Sequence, residues 1–165
     1  MLTYFITLIK RLVLPFFKIS TLAGLTFLIS SCSPFFIFPG GHLEGETAAP
    51  LEDWAFTRAI KTVQIETRPK DPYSVNIWII DKGPALYIHA GANQAEWVTH
   101  LESDPRIRVR IEETVYDMQA VLIREQEEFD TFADLYETKY DRRPRNENVS
   151  EIYLFRLENG GANEG

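Results

Sequence analysis

The sequence predicts a mainly β chain of the α+β type: a six- to seven-stranded antiparallel sheet closed into a small barrel, with two short helices. Three observations lead there. Apolar and polar residues alternate with period 2 along much of the chain, most regularly at 106–111, where Ile107, Val109 and Ile111 face one way and Arg106, Arg108 and Arg110 the other. Short turns rich in Pro and Gly join these runs in series, as in an antiparallel meander. Only 94–103 and 126–140 place their apolar residues at helical spacing. A sheet with this many alternating strands loses its exposed edges by closing, which makes a barrel the economical arrangement.

The first 31 residues stand apart. Residues 2–9 are apolar, Lys10, Arg11 and Lys18 supply positive charge, and 19–31 is an apolar run ending in small residues. That run is short for a membrane span and fits a secretory signal. Ile29-Ser30-Ser31-Cys32 resembles a bacterial lipobox, which implies that 1–31 is removed and that Cys32 is acylated and becomes the new N-terminus. An uncleaved N-terminal anchor and a downstream translation start are the alternatives. Cys32 is the only cysteine, so an acylated chain has no disulfide and rests on an ordinary core. Ser33 supplies no acidic retention signal, which points to a lipid-anchored protein of the bacterial cell envelope, on the periplasmic face of the outer membrane.

Residues 32–41 read as an apolar tether, 42–158 as the barrel domain and 159–165 as a disordered Gly-containing tail. Within the domain, 42–47 is a first strand, and Trp54 and Phe56 anchor the loop that follows. Residues 62–68 alternate Val63, Ile65 and Thr67 against Gln64, Glu66 and Arg68. Pro69-Lys70-Asp71-Pro72 turns the chain into a more buried run at 74–80, and Asp81-Lys82-Gly83-Pro84 turns it again into 86–89. A helix at 94–103 stops at Asp104-Pro105. Strands at 106–111 and 114–124 pair across Glu112-Glu113. The helix at 126–140 carries Phe129, Phe132, Leu135, Tyr136 and Tyr140 on one stripe, and a polar loop at 141–148 leads to a last strand at 151–157.

The chain has 17 Lys and Arg against 24 Asp and Glu. Removal of 1–31 takes Lys10, Arg11 and Lys18 and no acid, leaving 14 against 24, a net charge of −10. Such a domain lacks the basic footprint of a nucleic-acid binder. It is also repelled by anionic lipid, so the membrane is reached through the lipid on Cys32. There is no Walker loop, G-x-S-x-G, paired-Cys motif or H-E-x-x-H, and His42, His89 and His100 lack metal-ligand spacing.

The candidate site residues are Thr67, Arg68, Asn76, Trp78, His89, Gly91, Asn93 and Trp97. They fall within E-T-R at 66–68, Y-S-V-N-I-W at 73–78, A-L-Y-I-H-A-G at 85–91 with W-V-x-H-L from Trp97, and S-D-P-R-I-R-V-R-I at 103–111. In pattern and order this stretch, roughly 62–124, resembles the split-barrel flavin-binding proteins, which include pyridoxamine-phosphate oxidase and the deazaflavin-dependent reductases. The resemblance implies a split β-barrel in which the 62–68 strand and the loop after 86–89 cradle an isoalloxazine ring and its phosphate. It implies FMN or a deazaflavin as cofactor, hydride transfer with a small organic acceptor, and a possible homodimer.

Read from the residues, a loop with Gly91 leading into a helix N-terminus offers free N–H groups to an anion. Arg68 is either a phosphate or ring partner or the ion-pair partner of Glu66 or another strand acid. Trp78 and Trp97 either line a ring site or belong to the core. His89 is a proton donor or a hydrogen-bonded rim residue. Arg106, Arg108 and Arg110 are a solvated face offsetting acids or a wall of an anion site. This chain departs from the family's phosphate-holding loops, which carry basic or Ser residues: it has Ala92-Asn93-Gln94-Ala95-Glu96, and Glu96 opposes a phosphate. The alternative is therefore a non-catalytic envelope binding or structural lipoprotein with no cofactor.

Overall fold

The computed structural model describes residues 40–92 and 94–160. Residues 1–39, with the apolar leader, Cys32 and most of the tether, lie outside the described residues, as do Asn93 and the tail from 161. The strands are Glu46–Ala48 (β1), Thr62–Thr67 (β2), Tyr73–Trp78 (β3), Ile80–Lys82 (β4), Ala85–Ala90 (β5), Arg106–Ile111 (β6), Thr114–Leu122 (β7) and Tyr153–Asn159 (β8). The helices are Glu96–Ser103 (α1) and Gln126–Tyr140 (α2). Across the sheet the order is β3-β2-β6-β7-β8-β5-β4, with β1 added in parallel to β7. Every other pairing is antiparallel.

The two ends of that path, β3 and β4, are separated in the chain only by Ile79. One continuous strand thus begins on one edge of the sheet and finishes on the other, and the sheet closes into the expected split barrel. Ile79 leaves the ladder because α2 takes its polar groups. Its N–H donates to Tyr140 Oη at 3.0 Å, and its carbonyl accepts from Lys139 Nζ at 2.8 Å. Tyr140 Oη also lies 2.8 Å from the carbonyls of Lys61 and Ile79. Before this point the strand pairs with β2 through Trp78–Thr62, and after it with β5 through Ile80–Tyr87.

Alternation sorts the side chains into two cores. Val63, Ile65, Leu86, Ile88, Ile107, Val109 and Ile111 point into the barrel, which α1 plugs with Trp97, Val98 and Leu101. Ala85 and Tyr87, on the other face of β5, pack outside the barrel against Phe129, Phe132 and Tyr136 of α2. Strand β5 is therefore buried on both faces, which is why its sequence is nearly continuously apolar.

The strand at 106–111 and the helix at 126–140 form as the periodicity predicts, and β6 pairs with β7 across Glu112-Glu113. Elsewhere local hydrogen bonds move the boundaries. The first strand is Glu46–Ala48 rather than 42–47, because Leu43 is buried and its N–H is held by the Glu66 carboxylate. Trp54 is fully buried, with Nε1 donating to Pro84 O at 3.1 Å, whereas Phe56 is 47% exposed on a 3-10 turn and anchors nothing. The last strand begins at Tyr153, because Asn148 caps a 3-10 turn at Val149–Glu151 by accepting from Ser150 N at 3.0 Å. That strand runs through Asn159, which the sequence places in the tail.

Candidate functional site

Residues of β3 that face away from the barrel include Asn76 and Trp78, and on β5 the outward set ends in His89. Both strands meet the C-terminal half of α2 near Ile79, where the chain passes from pairing with β2 to pairing with β5. Trp78, His89 and Gly91 line a cleft of about 290 Å³ there, closed by Tyr136, Ile152 and the loop residues Arg142, Arg143, Pro144, Arg145 and Asn146. The strand break thus creates the opening, and the same helix that causes it builds one wall.

The wall is aromatic. Trp78 is 37% exposed, stacks on Tyr140 at 4.5 Å between ring centroids and has the Arg142 guanidinium 5.6 Å from its own centroid. His89 packs against Phe132 and edge-on against Tyr136, at 5.3 and 5.1 Å. Burial drives its pKa down to about 4, so the imidazole is neutral at physiological pH. Burial likewise raises the Tyr136 hydroxyl and pushes Tyr140 up to about 12, so both stay protonated. The charge on the cleft is therefore that of its arginines. Arg143 is committed to Asp134 and Glu137 at 2.8 Å each, while Arg142 and Arg145 make no ion pair among the described residues.

Thr67 and Arg68 stand at the other end of the β2–β3 ladder, where Thr67 pairs with Tyr73. Five residues of strand separate that end from Trp78, roughly 17 Å. Thr67 is buried, and its Oγ1 lies 2.9 Å from His100 Nδ1; His100 Nε2 faces Glu96 at 3.7 Å. Burial, and then Arg68, hold the His100 pKa below the usual value. Arg68 has φ 57°, pairs with Asp71 at 3.3 Å and lies over the Tyr73 ring. It lines a separate groove of about 390 Å³ with Lys70, Asp71, His100 and Asp104. A further cleft of about 290 Å³ crosses Glu66, Arg108 and Met118. Cations and carboxylates are interleaved in both, which leaves neither with a preferred ligand charge.

The eight residues singled out from sequence thus divide. Trp78, His89 and Gly91 share a cleft, whereas Thr67 and Arg68 belong to another place. Asn76 is exposed on β3 beside neither, and Trp97 is 6% exposed and packs on Phe155 in the barrel core. Asn93 lies outside the described residues. Two arginines of β6 offset acids, Arg106 meeting Asp104 at 2.6 Å and Arg108 meeting Glu66 and Asp117 at 3.1 and 3.3 Å, while Arg110 donates to the Glu44 carbonyl at 3.4 Å. Sequence reasoning missed Tyr136, Arg142 and Arg145 as cleft residues. The available signal was Arg142-Arg143-Pro144-Arg145, three cations around a proline in an acidic chain. Among the described residues no group of three or more His, Cys, Asp or Glu is placed to hold a metal ion.

No protein-family model and no curated protein matches the chain. Solved structures do. A candidate 5-nitroimidazole antibiotic resistance protein from Bacteroides thetaiotaomicron superposes with a TM-score of 0.51 at 13% identity, covering 67% of this chain and 81% of that one. A candidate pyridoxamine 5′-phosphate oxidase from Listeria innocua gives 0.51 at 10% identity, covering 64% and 89%. At such identities the likeness is one of fold. The fold is the split β-barrel of the pyridoxamine-phosphate-oxidase-like and nitroimidazole-resistance proteins, as the sequence resemblance implies.

Proposed function

We propose that this chain is a flavin-binding oxidoreductase of the cell envelope, using FMN or a deazaflavin in the cleft of Trp78, His89 and Tyr136. The observation that carries the reading is the pairing of an uncharged aromatic wall with an arginine rim at the barrel split. Flat, anionic ligands need that combination. The volume of about 290 Å³ sits at the lower edge of ligand pockets, enough for a fused ring with its tail left on the surface.

When bound, a flavin or deazaflavin supplies hydride transfer to a small organic acceptor, and the protein supplies position and polarity. The part-exposed indole of Trp78 would orient the ring. Neutral His89 offers one N–H or one lone pair without placing a charge beside it. Tyr136, backed by Phe132, makes the inner wall apolar. Because no protein acid or base has to ionise at neutral pH, the residues present suit chemistry carried by the cofactor.

A second reading, a binding or structural envelope protein without a cofactor, draws on the loop before α1. Residues 91–95 carry no cation, and Glu96 opens the helix. One titration separates the two. Full-length chain in detergent is mixed with FMN or a deazaflavin and followed by ligand absorbance and fluorescence. The oxidoreductase reading expects micromolar binding that Trp78→Ala weakens by about tenfold, the size of a lost aromatic contact. No binding of either compound sinks it in favour of the second reading.

A further inference from the structure

We infer that the anionic end of the ligand is held by Arg142 and Arg145, on the loop after α2, and not by the loop between β5 and α1. This rests on the flavin-binding reading and adds to it which group is recognised: a phosphate monoester.

The cations around the cleft decide the matter. Residues 91, 92, 94 and 95 bring none, and the first helical turn brings the Glu96 carboxylate, so an anion placed there meets a like charge. Across the cleft, Arg143 is neutralised by Asp134 and Glu137. Arg142 and Arg145 keep their charge on the same rim, three residues apart around Pro144, whose ring fixes φ and limits the loop's freedom. Of the ten described arginines, four lack a carboxylate partner, and of those four Arg142 and Arg145 line the cleft while Arg110 and Arg124 do not. Arg58, Arg68, Arg106, Arg108 and Arg156 each meet an acid within 3.3 Å. The exposed Arg142 guanidinium lies 5.6 Å from the Trp78 ring centroid, at the rim of the cleft. Two guanidinium forks on one rim supply the charge and the N–H donors that a dianionic phosphate needs.

FMN and riboflavin share one ring and differ in the phosphate, so they separate the ring site from the anion site. Both are titrated into full-length chain in detergent, wild type and the Arg142→Gln/Arg145→Gln double variant, with ring fluorescence as the readout. Arg124→Gln, an exposed arginine away from the cleft, serves as control. Wild type is expected to favour FMN by about tenfold or more, with a preference that added salt erodes. In the double variant the two ligands converge to within about twofold, while the Arg124→Gln control keeps the wild-type preference. Equal affinities in wild type, or a preference that survives the double substitution, overturn the inference and leave the flavin-binding reading standing. If neither flavin binds, the FMN form of that reading has failed, and inorganic pyrophosphate becomes the probe. Trp78 is the most exposed of the three tryptophans, and its fluorescence reports occupancy. A pyrophosphate response lost in the double variant supports the arginine site, and no response overturns it.

Discussion

At the scale of single residues, the cleft sets burial against charge. His89 sits on a strand that is buried on both faces, and burial pushes its pKa down from 6.5 to about 4. Between those values the unfolded chain binds a proton that the folded chain does not, so folding stability rises with pH across that window. The contribution is fully present above pH 6.5 and is lost as pH falls through 4, at up to about 1.4 kcal/mol per pH unit. Denaturant midpoints measured from pH 7 to 4 should therefore fall more steeply for wild type than for His89→Gln. Gly91 makes a complementary prediction. A Cβ placed on it meets no protein atom within 4 Å, and it is not among the glycines with positive φ. Gly91→Leu should thus leave the melting temperature within a few degrees of wild type while its side chain enters the cleft and lowers flavin affinity. A variant that unfolds, or that binds as well as wild type, contradicts this placement. The Glu66 carboxylate, 3% exposed, is held by Arg108 at 3.1 Å, by His42 Nδ1 at 3.3 Å and by Leu43 N–H. Arg108→Met leaves it buried without its arginine, and thermal unfolding should register a loss of about 3 kcal/mol.

At the scale of elements, the barrel opens where α2 intervenes. The period-3.6 stripe of α2 was legible in the sequence because Phe129, Phe132 and Tyr136 recur on one face, and the strand at 106–111 was legible because nothing interrupts its alternation. The break at Ile79 was not. Run 74–80 carries no proline, glycine or charge at that point, and the cause lies in Lys139 and Tyr140, 60 and 61 residues away in sequence. For the same reason the sequence grouped Trp78, His89 and Gly91, which share a cleft, with Arg68, which lines a different groove. Strand order tells which residues share a ladder, while the distance between its two ends depends on pairing. Tyr140→Phe removes the acceptor for Ile79 N–H and a donor to a nearby carbonyl. It should cost about 1–3 kcal/mol, and hydrogen exchange should show the Ile79 amide losing protection before its neighbours. Protection unchanged at Ile79 would falsify the account of the strand break.

At the scale of the whole molecule, an acidic domain carries one cationic rim, and among its described residues no helix is long and apolar enough to cross a membrane. Attachment to the envelope is proposed to depend on Cys32, which lies outside the described residues. Cys32→Ser should move the chain from the membrane fraction to the soluble fraction; a variant that stays with membranes points to an uncleaved anchor. The split-barrel architecture is shared with solved structures at only 10–13% identity. What this chain binds must therefore be judged from its own cleft. The arginines that set this cleft apart belong to a segment that the sequence presents as an ordinary polar loop. Their place at the cleft emerges only when the fold carries 142–145 across to Trp78.

The most direct test of the central claim is the NMR response of the full-length chain in detergent to FMN. Binding at the barrel split shifts the Trp78 indole N–H, the His89 and Gly91 amides and the Arg145 side chain. Shifts confined to Thr67, Arg68 and His100, or none at all, contradict it.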